Sequence, residues 1–271
     1  MAAISASRTN LDCHGVTLNK FILVGEGAFR YTYSGTFIGG PRSNQPCVCK
    51  CFKPRHRQFE ADCKRADVAI TAKSIQFAEF WNNFCSYGRE ITINDGDYLD
   101  LGGQEYLVEP FISNYIKYTS NVCPLQNGST MQQNVMEAFS HFTYHKSGGA
   151  MIVCDLQGRF KKKIGKRTAR FELTDLAISS RRRSYGPTDM GEKGIENFFH
   201  HHVCNEFCNS DNTGRQWARP RAPASWFPYT EGTSMLSSAY NGQLQLTSGT
   251  KFQLGLGGIL EEGSDDEYDD Y

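Results

Sequence analysis

FFHHHVCNEFC, Phe198 to Cys208, sets His202, Cys204 and Cys208 at a spacing from which three side chains can converge on one ion. A structural zinc site is closed by a fourth ligand, and nitrogen and thiolate sulfur are its usual donors. His141, on a segment that reads as a helix, is the favoured fourth ligand, with His200 and His201 as alternatives. Two thiolates and two neutral imidazoles would cancel the charge of a dication. Such a site can therefore sit inside the protein and knot the C-terminal half of its fold.

Upstream of this cluster lies a glycine-rich segment, Tyr185 to Gly194 (YGPTDMGEKG). Its residues Gly186, Asp189, Gly191 and Gly194 read as a loop able to cradle a phosphate or an extended peptide. A helix is expected to follow it from Ile195 to Phe207. Further upstream, the apolar run Ala150 to Cys154 reads as a short buried strand. Asp155 and Gln157 come immediately after it. A carboxylate at the end of a buried strand points into a site, and an amide oxygen two residues on can face the same way. Asp175, in Leu173-Thr174-Asp175, offers a second carboxylate for a magnesium ion, with the Gln157 oxygen as its companion.

The N-terminal portion reads mostly as strands: Asn19 to Val24, Tyr31 to Phe37, Pro46 to Phe52 and Glu105 to Phe111. On the third, Cys47, Cys49 and Cys51 alternate and share one face, which leaves Lys50 on the other. A lysine is rarely buried without a partner, and Asp67 is a candidate partner. The turn Gly25-Glu26-Gly27-Ala28 lets backbone approach phosphate oxygens, and Arg30 adds positive charge beside it. Val108-Glu109-Pro110-Phe111 ends a strand and suits a connection between two lobes. Helices are expected at Asp67 to Asn82, with Val68, Ile70, Ala72, Ile75, Ala78 and Phe80 or Trp81 on one face, and at Met131 to Lys146, with Val135, Phe139 and Phe142 inward. The fold class is α+β, with a β-rich N-lobe and a mixed C-lobe.

Composition sets outer bounds. The 271 residues are 39% hydrophobic and 21% charged with a formal net charge of zero, which suits a globular protein and gives no sign of a general nucleic-acid binder. No apolar run approaches the ~20 residues of a membrane span, and Met1 to Asn10 lacks the apolar centre of a secretory signal. The ten cysteines include the alternating trio and Cys154, positions that suit free thiols in a reducing, intracellular and cytoplasmic setting. Arg159 to Arg170 and Arg181 to Arg183 are basic runs. Glu261 to Tyr271 (EEGSDDEYDDY) is an acidic, solvated tail that could fold back onto the first of them. Pro220 to Ser225 (PRAPAS) reads as a linker.

Taken together and in this order, these residues resemble the alpha-kinase family, the atypical protein kinases that include the myosin heavy chain kinases and elongation factor 2 kinase. The resemblance spans about Phe21 to Cys208. It rests on Gly27-Ala28-Phe29-Arg30, Val48-Cys49-Lys50, Val108 to Phe111 with Tyr115-Ile116-Lys117-Tyr118, Phe139 to Tyr144, Val153 to Gly158, Leu173-Thr174-Asp175 and Phe198 to Cys208. It implies a two-lobed kinase fold with structural zinc on His141, His202, Cys204 and Cys208. Residues 1–18 would be an N-terminal extension, 19–210 the catalytic domain (N-lobe to about 110, C-lobe from 111), 211–260 a further extension and 261–271 the tail. It implies transfer of the γ-phosphate of Mg-ATP to serine or threonine of protein substrates, with autophosphorylation. Lys50 would hold the phosphates, with Gly25, Gly27 and Arg30 nearby, and Glu109 would face adenine at the hinge. Asp155 would be the catalytic aspartate, and Gln157 and Asp175 would hold magnesium. The loop Gly186 to Gly194 would position the peptide.

Two departures from the family pattern stand out. Asp155 and Asp175 are further apart in sequence, with Arg159 to Arg170 as a basic insertion, and Leu176 stands where proline is usual. They motivate an alternative expectation: a pseudokinase, or nucleotide-binding regulatory scaffold, built around the zinc. A zinc-built interaction module without a nucleotide is a third.

Overall fold

The computed structural model describes residues 15–27, 29–84, 88–124, 130–162, 168–208 and 216–227. The acidic tail and its proposed return to the basic run lie outside these residues, as do Ala28 and residues 163–167 of the basic insertion.

The first sheet has the strand order β1-β2-β3-β6-β5 and is antiparallel throughout. Its strands are β1 (Gly15–Glu26), β2 (Arg30–Ile38), β3 (Pro46–Phe52), β5 (Asp97–Asp100) and β6 (Glu105–Pro110). One face buries Phe37, Cys47, Cys49, Cys51, Tyr106 and Val108, as alternation in β3 predicts. Gly35 stands directly opposite Cys47, and a methyl group there would lie 2.9 Å from the sulfurs of both Cys47 and Cys49. The two cysteines thus fill the space that a larger residue on β2 would take.

A 3-10 turn (Pro54–Phe59) leads into α1 (Glu60–Phe84), which begins seven residues before the predicted Asp67. Its inward face is Cys63, Ala66, Ile70, Ser74, Phe77, Ala78 and Trp81. That is the three-four spacing of a packed helix, but rotated from the predicted stripe: Val68, Ala72 and Ile75 are only part-buried and Phe80 is exposed.

The second sheet has the order β4-β10-β9-β7. It comprises β4 (Arg89–Ile93), β7 (Ile116–Lys117), β9 (Gln157–Lys161) and β10 (Ala169–Leu173). β4 runs parallel to β10. Residues 89–93 therefore belong with strands that follow residue 111, and the boundary placed at 110 does not divide the sheets. Asn94 ties the two sheets together: its side-chain amide donates to the Pro110 carbonyl at 2.9 Å, and its backbone N–H donates to the Leu173 carbonyl.

Helix α2 (Met131–Lys146) forms at its predicted bounds, with the Thr130 side chain capping it by accepting from the Gln133 N–H. It packs on β8 (Met151–Cys154), which pairs antiparallel with β11 (Ala177–Ser180). Helix α3 (Gly191–His201) starts inside the segment read as a loop and stops before the cysteines. The main core joins Ile70, Phe77 and Trp81 of α1 to Met136, Phe139 and Phe142 of α2 and to Phe171 and Leu173 of β10.

Candidate functional site

Two antiparallel hairpins share the same pair of chain segments. In one, Cys154 pairs with Ala177; in the other, Gly158 pairs with Leu173. Between these ladders the two segments change sheet, and Asp155 and Asp175 occupy the gap. Both are forced into left-handed backbone, with φ of 57° and 53°. Such conformations cost about 1–3 kcal/mol each and persist where surrounding structure over-determines them. Here the determinants are visible. The Asp155 N–H donates to the Ser120 carbonyl, the Leu156 N–H donates to the Thr119 hydroxyl, and the Thr174 N–H donates to the Gln157 carbonyl.

Residues 159–161 and 169–170 of the basic insertion lie on the two arms of the β9–β10 hairpin. Its mouth is pinned at Gly158. A Cβ there would lie 1.9 Å from the Glu172 carbonyl oxygen, and φ is +150°. The insertion thus lengthens the chain between the two aspartates without separating them.

Lys50 approaches this gap from β3. Its ammonium is ion-paired with Glu109, on β6, and with Asp175 at 2.5 Å. Lys50 sits opposite Leu107, which puts Glu109 diagonally across on the same sheet face. Thr174 donates to the other Glu109 oxygen at 2.9 Å. Lys50 and Glu109 are both buried. Burial works against the Lys50 charge, yet Asp175 and Glu109 outweigh it and raise its pKa. Burial likewise pushes Glu109 up against the opposing pull of Lys50. For Asp175, burial of its surroundings is outweighed by Lys50, with help from Arg30 and Lys117, and its pKa is lowered. The Asp175 side chain retains 46% exposure, so an arriving ion can reach it.

Gln157 turns its amide nitrogen to the Asp175 carbonyl at 2.7 Å, leaving its side-chain oxygen as the remaining ligand atom. Lys117, to which the sequence reading gave no role, holds Asp155 at 2.7 Å. Tyr115 has its pKa pushed well up by burial and by Asp175, Asp155 and Glu109, which places its hydroxyl in the same acidic surroundings. Only the quoted run Tyr115 to Tyr118 pointed to these two.

The other expected residues divide. Gly25 shares a cross-strand row with Thr32 and Lys50, two strands or about 10 Å away. Gly27 closes the β1–β2 turn by donating to the Arg30 carbonyl. Arg30 is held by Asp67 at 2.5 Å and by Tyr98 at 3.0 Å. Asp67 therefore pairs with Arg30, where the sequence had suggested Lys50. Glu109 turns its carboxylate toward Lys50 and Thr174, which leaves only backbone at that position to face a hinge.

Asp189 is fully buried. It accepts from the Ser180 N–H and hydroxyl, the Tyr185 N–H and the Gly191 N–H. Its four acceptor contacts staple the segment. Gly194 lies within α3, where a Cβ would meet Ser179 Oγ at 2.6 Å. Gly191 opens that helix at φ +70° and Gly186 lies against Ala66. The segment read as a substrate loop is thus a braced helix entry.

A second constellation lies on α2, α3 and the turn after it. The ligand atoms of His141, His202, Cys204 and Cys208 all fall within 4.8 Å of one another. Cys204 Sγ is 3.6 Å from His141 Nδ1, and Cys208 Sγ is 3.6 Å from His202 Nε2. A tetrahedral zinc with Zn–S near 2.3 Å and Zn–N near 2.05 Å puts sulfur and nitrogen about 3.6 Å apart. His141 is the fourth member, and the alternatives His200 and His201 are not. Burial and the neighbouring His202 push His141 down to about 3, the neutral form a ligand needs. Burial pushes the Cys208 thiol up to about 12, a penalty that a bound dication reverses. The residues fit zinc. All eight described cysteines are free thiols.

Comparison with known proteins follows the same lines. A model of the alpha-kinase family matches residues 25–208. Eukaryotic elongation factor 2 kinase from Caenorhabditis elegans is 34% identical over 110 residues, 40% of this chain and 13% of that protein. Myosin heavy chain kinase B from Dictyostelium discoideum is 27% identical over 193 residues, 68% of this chain and 24% of that protein. The chain thus spans a quarter or less of the length of these relatives. Among solved structures, an inactive alpha-kinase domain of myosin heavy chain kinase A in complex with ATP superposes with a TM-score of 0.57 at 22% identity, covering 71% of this chain and 87% of that one. An alpha kinase from Entamoeba histolytica gives 0.55 at 21% identity, covering 76% and 82%.

Proposed function

We propose that this chain, which belongs to the alpha-kinase family, transfers the γ-phosphate of Mg-ATP to serine or threonine hydroxyls of protein substrates and phosphorylates itself. The observation that carries this reading is the convergence of Lys50, Asp175, Gln157 and Asp155 at one sheet-to-sheet crossing. Phosphoryl transfer depends mainly on positioning and on charge stabilisation, and these groups supply both.

In this reading Lys50 leaves Asp175 to hold phosphate oxygens, and Glu109 keeps the ammonium aimed. Gly25 and Gly27 let the backbone approach the phosphates, and Arg30 adds positive potential. The Asp175 carboxylate and the Gln157 oxygen would hold magnesium, hard donors that suit it. When bound, that ion neutralises charge on the phosphate oxygens. Asp155, aimed by Lys117, accepts the proton of the attacking hydroxyl. One oxygen–phosphorus bond forms as the bond from phosphorus to the departing ADP oxygen breaks. Zinc on His141, His202, Cys204 and Cys208 has a structural role. The described residues between 15 and 227 make up the folded unit, arranged as two lobes about the nucleotide. The free thiols suit a reducing, cytoplasmic setting, and no helix among the described residues is long and apolar enough to cross a membrane.

The test is incubation with labelled ATP, Mg²⁺ and a basic protein, followed by mass spectrometry of both proteins. Phosphate should appear on serine or threonine and vanish in Asp155→Ala. Nucleotide binding without transfer would instead make the chain a nucleotide-dependent scaffold.

A further inference from the structure

Residues 216–227 lie beyond the 25–208 family match, and the sequence around Pro220 reads as a linker. In the structure the start of this segment lies against the His/Cys cluster. Trp217 is buried at 2% exposure, with its ring 5.4 Å from that of His141 and 5.5 Å from that of Phe142. The Ala218 carbonyl is 3.1 Å from His141 Nε2. Since Nδ1 is the His141 atom facing Cys204, a proton on Nε2 donated to Ala218 leaves Nδ1 free to ligate. Glu137 does the same for His202, at 3.0 Å from Nδ1, leaving Nε2 facing Cys208. Each imidazole therefore has an outer partner that fixes its tautomer, the arrangement metal-bound histidines need.

Arg219 completes the contact. Its guanidinium donates to the Phe199 and His202 carbonyls, both at 3.1 Å, and to Cys204 Sγ at 3.5 Å. Cys204 is the one half-buried member of the four; the others are buried. Arg219 thus covers the side on which the cluster is open. Its charge also balances the ledger. Two thiolates neutralise a zinc ion, and Arg219 offsets the Glu137 carboxylate.

We propose that Trp217-Ala218-Arg219 is a clasp for the zinc site, in which Arg219 is a positioning residue for Cys204 and Ala218 one for His141. Ion and clasp stabilise each other, and the coupling is reciprocal because it is a free energy shared by two binding events. This stands whether or not the chain transfers phosphate.

The experiment measures zinc release from the full chain into a chromophoric chelator, with zinc content set by atomic absorption. Losing an outer partner typically costs 10–100-fold in metal affinity, so Arg219→Ala should release zinc at least about tenfold faster. Arg219→Lys should stay close to the alanine variant, since the guanidinium uses one nitrogen for both carbonyls and another for the sulfur, and lysine has a single nitrogen. The melting temperature should fall less between the unmutated chain and its variants in the metal-free protein than in the zinc-loaded one. In the unmutated chain, stripping zinc should speed amide exchange in residues 216–222. Wild-type release rates in Arg219→Ala, equal loss of stability with and without metal, or exchange in 216–222 indifferent to zinc would each overturn the clasp.

Discussion

Lys50 Nζ lies 2.5 Å from Asp175 Oδ1, a contact between residues 125 apart in sequence. The same ammonium neutralises buried Glu109. Removing one member of a buried pair strands the other and costs about 3–5 kcal/mol. Lys50→Met should therefore cost both stability and activity. Adding Glu109→Gln should restore most of the stability, read as the urea midpoint, while phosphate transfer stays at least ~100-fold down. Recovery of transfer in the double variant would remove Lys50 from the chemistry.

In the proposed mechanism Lys117 aims Asp155, and Asp155 accepts the proton of the attacking hydroxyl. Asp155→Ala should lower turnover by about 10²–10⁴-fold. Lys117→Met should have a smaller effect, and the double variant should be no slower than Asp155→Ala alone, since groups acting as a unit are not additive. Multiplicative losses in single-turnover assays would mean that the two work independently.

Gly158 has no room for a side chain. Gly158→Ala drives a methyl group into the Glu172 carbonyl, so the mouth of the β9–β10 hairpin must open. The expected loss is at least ~3 kcal/mol, seen by thermal melting, with Asp155 and Asp175 no longer held in register.

A pH dependence follows from Glu172. Burial would raise its pKa, but hydrogen bonds from Lys161 and Arg159 outweigh this and the value is lowered. A carboxylate with a lowered folded pKa adds stability above its unfolded value, about 4.3, and loses it as pH falls through the folded value. Below about pH 4.5 the wild-type urea midpoint should therefore drop faster than that of Glu172→Gln. Parallel curves would count against this ion network.

Local periodicity carried part of this structure into view. α2 matched its predicted bounds because Val135, Phe139 and Phe142 recur at helical spacing, and β3 because small buried cysteines alternate with Lys50. The start of α1 was hidden because Cys63 and Ala66 are small and sit among Asp62, Lys64 and Arg65. Nothing local in Arg89 to Ile93 says that its partner is β10, a strand far along the chain. The candidate catalytic and zinc residues could be named because their residue types are chemically restricted. Their supports could not: Lys117, Ala218 and Arg219 act through contacts set only by the tertiary fold. The surroundings of Asp189 were hidden for the same reason, since its glycine-rich neighbourhood looks loose in sequence until Ser180 and Tyr185 close on it.

The β9–β10 hairpin has a consequence for how such a chain can diversify. Because both arms leave the crossing through the paired residues Gly158 and Leu173, the spacing of the two aspartates is set before the arms begin. Selection can remodel those arms as an accessory while that pair keeps the crossing beneath them in register.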